Sequence, residues 1–306
     1  MMKLLETRMI WDFDEHNAFP DLVRFNDRWF CAVREGTCHA GKRDGLVRVI
    51  SSDDGVIWQS VKLFALEGSD LRDPKLSVTP NGQLMLLMGE LTHSVDKYNG
   101  LHVEVSFSDD GILWSEIEPA SPDNLMWLWR VTWFENQGYG IAYDSTTPEW
   151  EVKLYKTNNG IDYSLISQLE VFGRPTESTI RFTESGTMLA LVRREADGGN
   201  GWLGRSEAPY TDWDWVECDK RVSGQDLIFL PNGKLCVATR LYDNDNVRTS
   251  VCYLDPITGC ISDEVTLPSA GDCSYPGMVV YNGQLWVSYY SSHKEKSSIY
   301  LSVLDL

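Results

Sequence analysis

The chain has 306 residues, of which 42% are hydrophobic, 24% charged and 11% aromatic, with 24 Gly and 12 Pro; this is a globular composition, and it excludes disordered, collagen-like and coiled-coil chains. Its 27 basic and 45 acidic residues leave a net charge of −18, which phosphate backbones and anionic membrane surfaces would repel, so neither nucleic acid nor membrane is an expected partner. No apolar run approaches the roughly 20 residues that a membrane-spanning helix needs.

Lys3, Glu6 and Arg8 interrupt the N-terminal segment. It does not read as a signal peptide, and the expected compartment is the cytoplasm, or the periplasm or the cell exterior if a leader has been trimmed. Six segments then repeat one plan: an apolar strand, a tight turn and a second apolar strand. They are AFPDLVRFNDRWFCAVRE (18–35), RDPKLSVTPNGQLMLLMGE (72–90), LWRVTWFENQGYGIAYD (128–144), TESTIRFTESGTMLALVRRE (176–195), GQDLIFLPNGKLCVATRLY (224–242) and SYPGMVVYNGQLWVSYY (274–290). Asn-Gly or a near equivalent between β-rich runs marks each as a hairpin. The period near fifty residues leaves room for four strands per repeat, and no segment carries a helical apolar stripe. The expected fold is all-β, one domain over residues 1–306: a six-bladed β-propeller with four antiparallel strands per blade. Residues 3–12 are expected to supply the strand that closes the last blade.

The seven cysteines are odd in number, with no Cys-x-x-Cys pair and no His spacing that suits zinc. They are expected as reduced thiols, Cys31 and Cys236 in the core, and neither metal nor cofactor is expected.

A second motif follows the early hairpins: SSDDGVIW (51–58), FSDDGILW (107–114) and, more loosely, KTNNGIDY (156–163). In such a turn Asp53 or Asp109 is expected to bond neighbouring amides, Gly55 or Gly111 to take positive φ, and Trp58 or Trp114 to cover the turn. These turns resemble Asp-boxes, the BNR repeats, and together with six hairpin repeats they resemble the sialidase superfamily of glycoside hydrolases across nearly the whole chain.

In a propeller the first strand of each blade lines the axis, so residues at equivalent strand starts converge. Asp21, Asp73, Arg130, Glu177, Asp226 and Tyr275 form the expected ring. Arg34, Arg193 and Arg240 end the second strands of their hairpins at matched positions. Two readings stand for them: structural ion pairs across each hairpin (Asp21 with Arg34, Glu177 with Arg193, Asp226 with Arg240), or a guanidinium cluster for a planar anion.

The resemblance implies roles for these positions. Tyr275 matches the nucleophile that starts the last inner strand, Glu177 the carboxylate that takes its proton, and Arg193 and Arg240 the arginines that clamp a substrate carboxylate. Arg34 matches the arginine before the first loop, and Asp44, on that loop, the acid/base. Where the family opens its first inner strand with Arg-Ile-Pro, this chain has Ala18-Phe19-Pro20, so Arg34 or Arg72 stands in for the missing guanidinium or the sugar differs. Asp73 is a rival acid, and His39 with His16 and Asp44 forms a possible polar pocket. Trp127, Trp129 and Trp133 serve either as a stacking wall for a sugar or as packing between blades. The implied activity is that of an exo-glycosidase, retaining, with a Tyr nucleophile, that removes a terminal and acidic sugar. The alternative is a carbohydrate-binding propeller without catalysis. In either case carbohydrate is the expected partner, and oligomeric state is left open.

Overall fold

A computed structural model describes residues 2–40, 45–94, 97–120, 122–123, 126–146, 148–243 and 246–306. They form six sheets of four antiparallel strands each, a six-bladed β-propeller. The first blade runs outward through His16–Phe25, Arg28–Gly36, Leu46–Ser52 and Gln59–Phe64. The second uses Ser69–Val78, Leu84–Ser94, Lys97–Ser108 and Glu118–Pro119, and the third Trp127–Phe134, Gln137–Asp144, Glu151–Thr157 and Tyr163–Leu169. The fourth comprises Pro175–Phe182, Met188–Arg194, Asn200–Ser206 and Asp214–Arg221, and the fifth Asp226–Phe229, Leu235–Asp243, Asn246–Leu254 and Ile261–Thr266. In the sixth, Cys273–Tyr281, Gln284–Ser291 and Ser298–Asp305 are joined by Lys3–Trp11, whose register runs from Lys3 opposite Asp305 to Trp11 opposite Ile299. The N-terminal strand closes the ring as its position predicts.

The hairpins turn where the sequence places them. Asn26 and Asp27 (φ 46° and 60°), Glu135 and Asn136 (46° and 67°) and Asn282 and Gly283 (50° and 74°) all take the left-handed conformation, which matches the right-handed twist of the flanking strands. Between blades lie apolar layers. Phe30, Val47 and Val49 of the first blade pack on Leu76, Leu84 and Leu86 of the second, and equivalent layers join each later pair. The layer that joins the sixth blade to the first holds Trp29, Ile299 and Leu301, and takes in Trp127 and Trp129. Cys31 and Cys236 are fully buried, and all seven cysteines are unpaired.

The SSDDGVIW turn and its relatives use the second acidic residue, not the first. Asp54 Oδ1 accepts from the amides of Val56 and Ile57 at 2.8 and 3.0 Å, and Asp110 Oδ1 from those of Ile112 and Leu113 at 2.7 and 2.8 Å. Asn159 does the same for Ile161 and Asp162 at 3.0 and 2.9 Å. Asp53 is drawn away to Arg28 at 2.6 Å and Asp109 to Gln83 at 2.9 Å. The indole N–H groups of Trp58 and Trp114 donate to the carbonyls of Gly55 and Gly111 at 3.2 and 3.1 Å. A Cβ on Gly111 (φ 77°) would lie 2.3 Å from the Phe30 ring, so the turn docks on the preceding blade. Asp255 builds a comparable turn in the fifth blade, accepting from Ile257 and Thr258 at 2.8 and 2.9 Å; Pro256 disguises it in the sequence.

Candidate functional site

Within three inner strands a residue in the left-handed region precedes proline: Phe19 (φ 53°), Asp73 (φ 47°) and Tyr275 (φ 53°). Each sits at a break in register, between Ala18 and Asp21, Arg72 and Lys75, and Ser274 and Gly277. Such a conformation costs a non-glycine residue on the order of 1–3 kcal/mol and persists only where the surroundings impose it. The bulge makes Phe19, Asp73 and Tyr275 the equivalent positions. Asp21 is equivalent to Lys75 and Gly277, not to Tyr275.

This offset separates the expected ring into two sets. Asp21, 1% exposed, accepts from Arg130 Nη1 at 3.0 and 3.2 Å and from the Leu76 amide at 2.8 Å. Arg130 Nε lies 3.7 Å from Asp226 Oδ1, which also takes Arg181 Nη2 at 2.8 Å. Asp21, Arg130, Asp226 and Arg181 therefore alternate in charge through the buried centre. Lys75 stands near them, and burial together with the Arg130 charge lowers its pKa. These residues lock the first, third, fourth and fifth blades together.

Of the second set, Tyr275 and Glu177 come together: the Tyr275 hydroxyl donates a hydrogen bond to Glu177 Oε1. Arg193 Nη1 donates to the same oxygen at 2.7 Å and to the Tyr275 hydroxyl at 3.2 Å, while the Gly224 amide donates to Glu177 Oε2 at 2.8 Å. Gly224 (φ 55°) can approach because a Cβ there would lie 2.5 Å from the Tyr275 ring. Burial pushes the Glu177 carboxyl up, yet the Arg193 charge and the bonds from Arg193, Tyr275 and Gly224 outweigh it, leaving the pKa below its ordinary value. Burial and the Glu177 charge push the Tyr275 phenol well above 10. The resting state is a neutral phenol bonded to a carboxylate.

Of the hairpin ion pairs, that of Glu177 with Arg193 forms; the other two do not. Arg34 is fully buried, with Nε 2.9 Å from Asp70 Oδ1 and Nη1 on the Cys38 carbonyl at 3.0 Å. Arg240 turns to the sixth blade: Nε donates to the Cys273 carbonyl at 2.8 Å, Nη2 to the Tyr290 hydroxyl at 3.1 Å and to Asp272 Oδ1 at 3.4 Å. Its guanidinium lies 5.6 Å from the Tyr275 ring centroid. The Arg72 guanidinium lies 5.2 Å from the Phe19 ring, and its Nη2 donates to the His39 carbonyl at 3.0 Å.

Asp73 is partly buried, and its Oδ1 has no partner among the described residues. Desolvation raises its pKa against the pull of Arg72 and Lys75. Asp44 lies outside the described residues. His39 Nδ1 is 2.7 Å from Asp272 Oδ2, and its ring meets the edge of Phe19 at 5.0 Å. Trp129 is buried 5.5 Å from the Tyr275 ring, Trp127 stacks on Tyr143 at 6.3 Å, and Trp133 donates to Ser77 at 3.1 Å; packing between blades is their use. Asp272 and Tyr290 were outside the expected site. Asp272 precedes its strand without any period to mark it, and Tyr290 is hidden in the apolar alternation of its own.

No protein-family model and no curated protein matches the chain. Among solved structures it is similar to a Dyadobacter fermentans protein of unknown function, with a TM-score of 0.89 at 15% identity over 100% of this chain and 99% of that one. It is also similar to a Penicillium chrysogenum α-L-arabinanase complexed with arabinobiose (TM-score 0.73, 13% identity, 99% and 98% covered). A Trypanosoma rangeli sialidase in complex with the inhibitor DANA has a TM-score of 0.71 at 12% identity, over 95% of this chain and 55% of the sialidase. At these identities the likeness is one of fold, and the chain shares its six-bladed β-propeller with a group of structures that includes glycoside hydrolases.

Proposed function

We infer that the chain is a retaining exo-glycosidase that removes a terminal sugar, with Tyr275 as nucleophile and Glu177 as its base. The observation that carries this reading is the hydrogen bond from the Tyr275 hydroxyl to Glu177 Oε1, with Arg193 bonded to both. A phenol is a poor nucleophile until a base removes its proton, and Glu177 is ionised and within reach to do so. In the first step the Tyr275 oxygen forms a bond to the anomeric carbon as its proton passes to Glu177. The bond to the leaving oxygen breaks, and an acid protonates that oxygen. In the second step the deprotonated acid takes a proton from water, the water oxygen bonds to the anomeric carbon, and the phenol leaves with its proton returned from Glu177. Two inversions give retention.

Asp73 is the described carboxyl best suited to the acid, because desolvation favours its protonated form and one oxygen is unpartnered. The sequence favours an acidic sugar. Among the described residues, however, Arg193 is already balanced by Glu177 and Glu195 at 2.7 and 2.5 Å, and Arg240 faces Asp272 at 3.4 Å. This balance favours an uncharged sugar, since a substrate carboxylate would have to compete with those acids. Tyr275→Phe removes the nucleophile and keeps the ring. Its turnover of a panel of neutral and anionic aryl glycosides is expected to fall by on the order of 10³-fold or more, and an unchanged rate refutes the nucleophile and leaves a carbohydrate-binding propeller as the reading.

A further inference from the structure

Three donor atoms outside the phenol–carboxylate pair meet beside it. His16 opens the inner strand of the first blade, His39 follows the second strand of that blade, and Asp272 precedes the inner strand of the sixth. His39 Nδ1 is 2.7 Å and His16 Nε2 is 3.2 Å from Asp272 Oδ2. All three donors lie within 4.8 Å of one another. Ligands held about 2.0–2.2 Å from a zinc-class ion stand roughly 3.0–3.5 Å apart, so two edges of the triangle need shifts of only tenths of an ångström.

The donors suit such an ion in kind as well as spacing: two imidazoles and one carboxylate leave coordination positions open, as sites for borderline divalent metals do. Their outer contacts are in place. The other oxygen of Asp272 accepts from the Tyr290 hydroxyl at 2.6 Å and faces Arg240 at 3.4 Å, which fixes the carboxylate. Phe19 lies against both imidazoles, with ring centroids 5.0 Å from His39 and 6.4 Å from His16. The His39 side chain is 46% exposed, so an ion can enter from solvent. Arg240 opposes a cation, but from the far oxygen of the carboxylate, and it limits affinity without closing the site.

We propose that His16, His39 and Asp272 bind a divalent cation of the zinc class, with the remaining positions taken by water. The three residues come from widely separated stretches of chain, which is why no metal spacing shows in the sequence. The site does not depend on turnover, so its test is independent of the hydrolase reading. Chelator-treated full-length protein is titrated calorimetrically with Zn²⁺. One ion per chain with micromolar affinity is expected, weakened at least tenfold by His39→Gln and by Asp272→Asn. Cys38→Ser is expected to bind as the parent does, since Cys38 adjoins His39 and is the rival ligand. Circular dichroism of each variant checks the fold, and His39→Gln, on a loop, is expected to keep it. Absence of binding, binding unchanged in His39→Gln, or binding lost in Cys38→Ser overturns the proposal.

Discussion

At the scale of single residues, environment decides which carboxyl does what. Glu177 is held ionised by Arg193 and three donated bonds, whereas Asp73 is held toward its neutral form by desolvation. If the two serve as base and acid, the acid limb of kcat/KM falls below the ordinary glutamate pKa, because Glu177 stays charged there. The alkaline limb, where Asp73 loses its proton, moves above the ordinary aspartate range. Asp73→Asn is expected to lower kcat/KM for substrates with poor leaving groups by about 10²-fold or more, spare kcat/KM for activated aryl glycosides while lowering their kcat through the second step, and remove the alkaline limb; a pH–rate profile on both substrate types checks this. Elsewhere, burial and the neighbouring Glu90 raise Glu104 to about 7. A carboxyl with a folded pKa above its unfolded value binds more protons folded, so its contribution to stability is present at low pH and is lost as pH rises from about 4.5 through 7. Glu104→Gln is therefore expected to raise Tm relative to the parent at pH 8, by about 2 °C per kcal/mol relieved, and to match it near pH 4.5. A melting series across that range decides the point.

At the scale of elements, the six hairpins are legible because alternation and Asn-Gly turns are local signals. The positions of Tyr275 and Glu177 are legible through resemblance and the fifty-residue period. What the sequence conceals is the bulged step before proline. Counting by strand starts aligns Asp21 with Tyr275, but the bulge moves Asp21 into the buried centre and leaves Phe19 beside the phenol. Arg34 and Arg240 are misassigned to their hairpins for a related reason: their partners, Asp70 and Asp272, belong to neighbouring blades, and cross-blade contacts have no sequence period. Asp272 goes unseen on the same account. The docked turns give a test at this scale. Gly111→Ala places a methyl against Phe30 at a residue with φ 77°, and should cost roughly 1–3 kcal/mol. Asp110→Ala, which removes the acceptor for two amides, should lower the midpoint by less than Gly111→Ala does. Denaturant midpoints for the two variants, with an unchanged m-value, measure both.

At the scale of the whole molecule, apolar layers between blades carry the fold and a buried ionic chain sets its centre. Arg130 contacts Asp21 of the first blade and Asp226 of the fifth from its own place in the third. Removing one member strands the others without water, so Arg130→Met is expected to destabilise by about 3–5 kcal/mol, more than an exposed pair such as Arg28–Asp53 could. Equilibrium unfolding of Arg130→Met beside Arg28→Met distinguishes the two. The ring is also fastened by pairing Lys3 with Asp305. Because Lys3–Trp11 pairs with Ser298–Asp305, a growing chain on the ribosome must keep the earlier strand unpaired until the later one has been made. Its outward side chains Lys3, Leu5, Glu6 and Met9 mix charge with the apolar, a composition that keeps the waiting strand from sticking to its neighbours in the meantime.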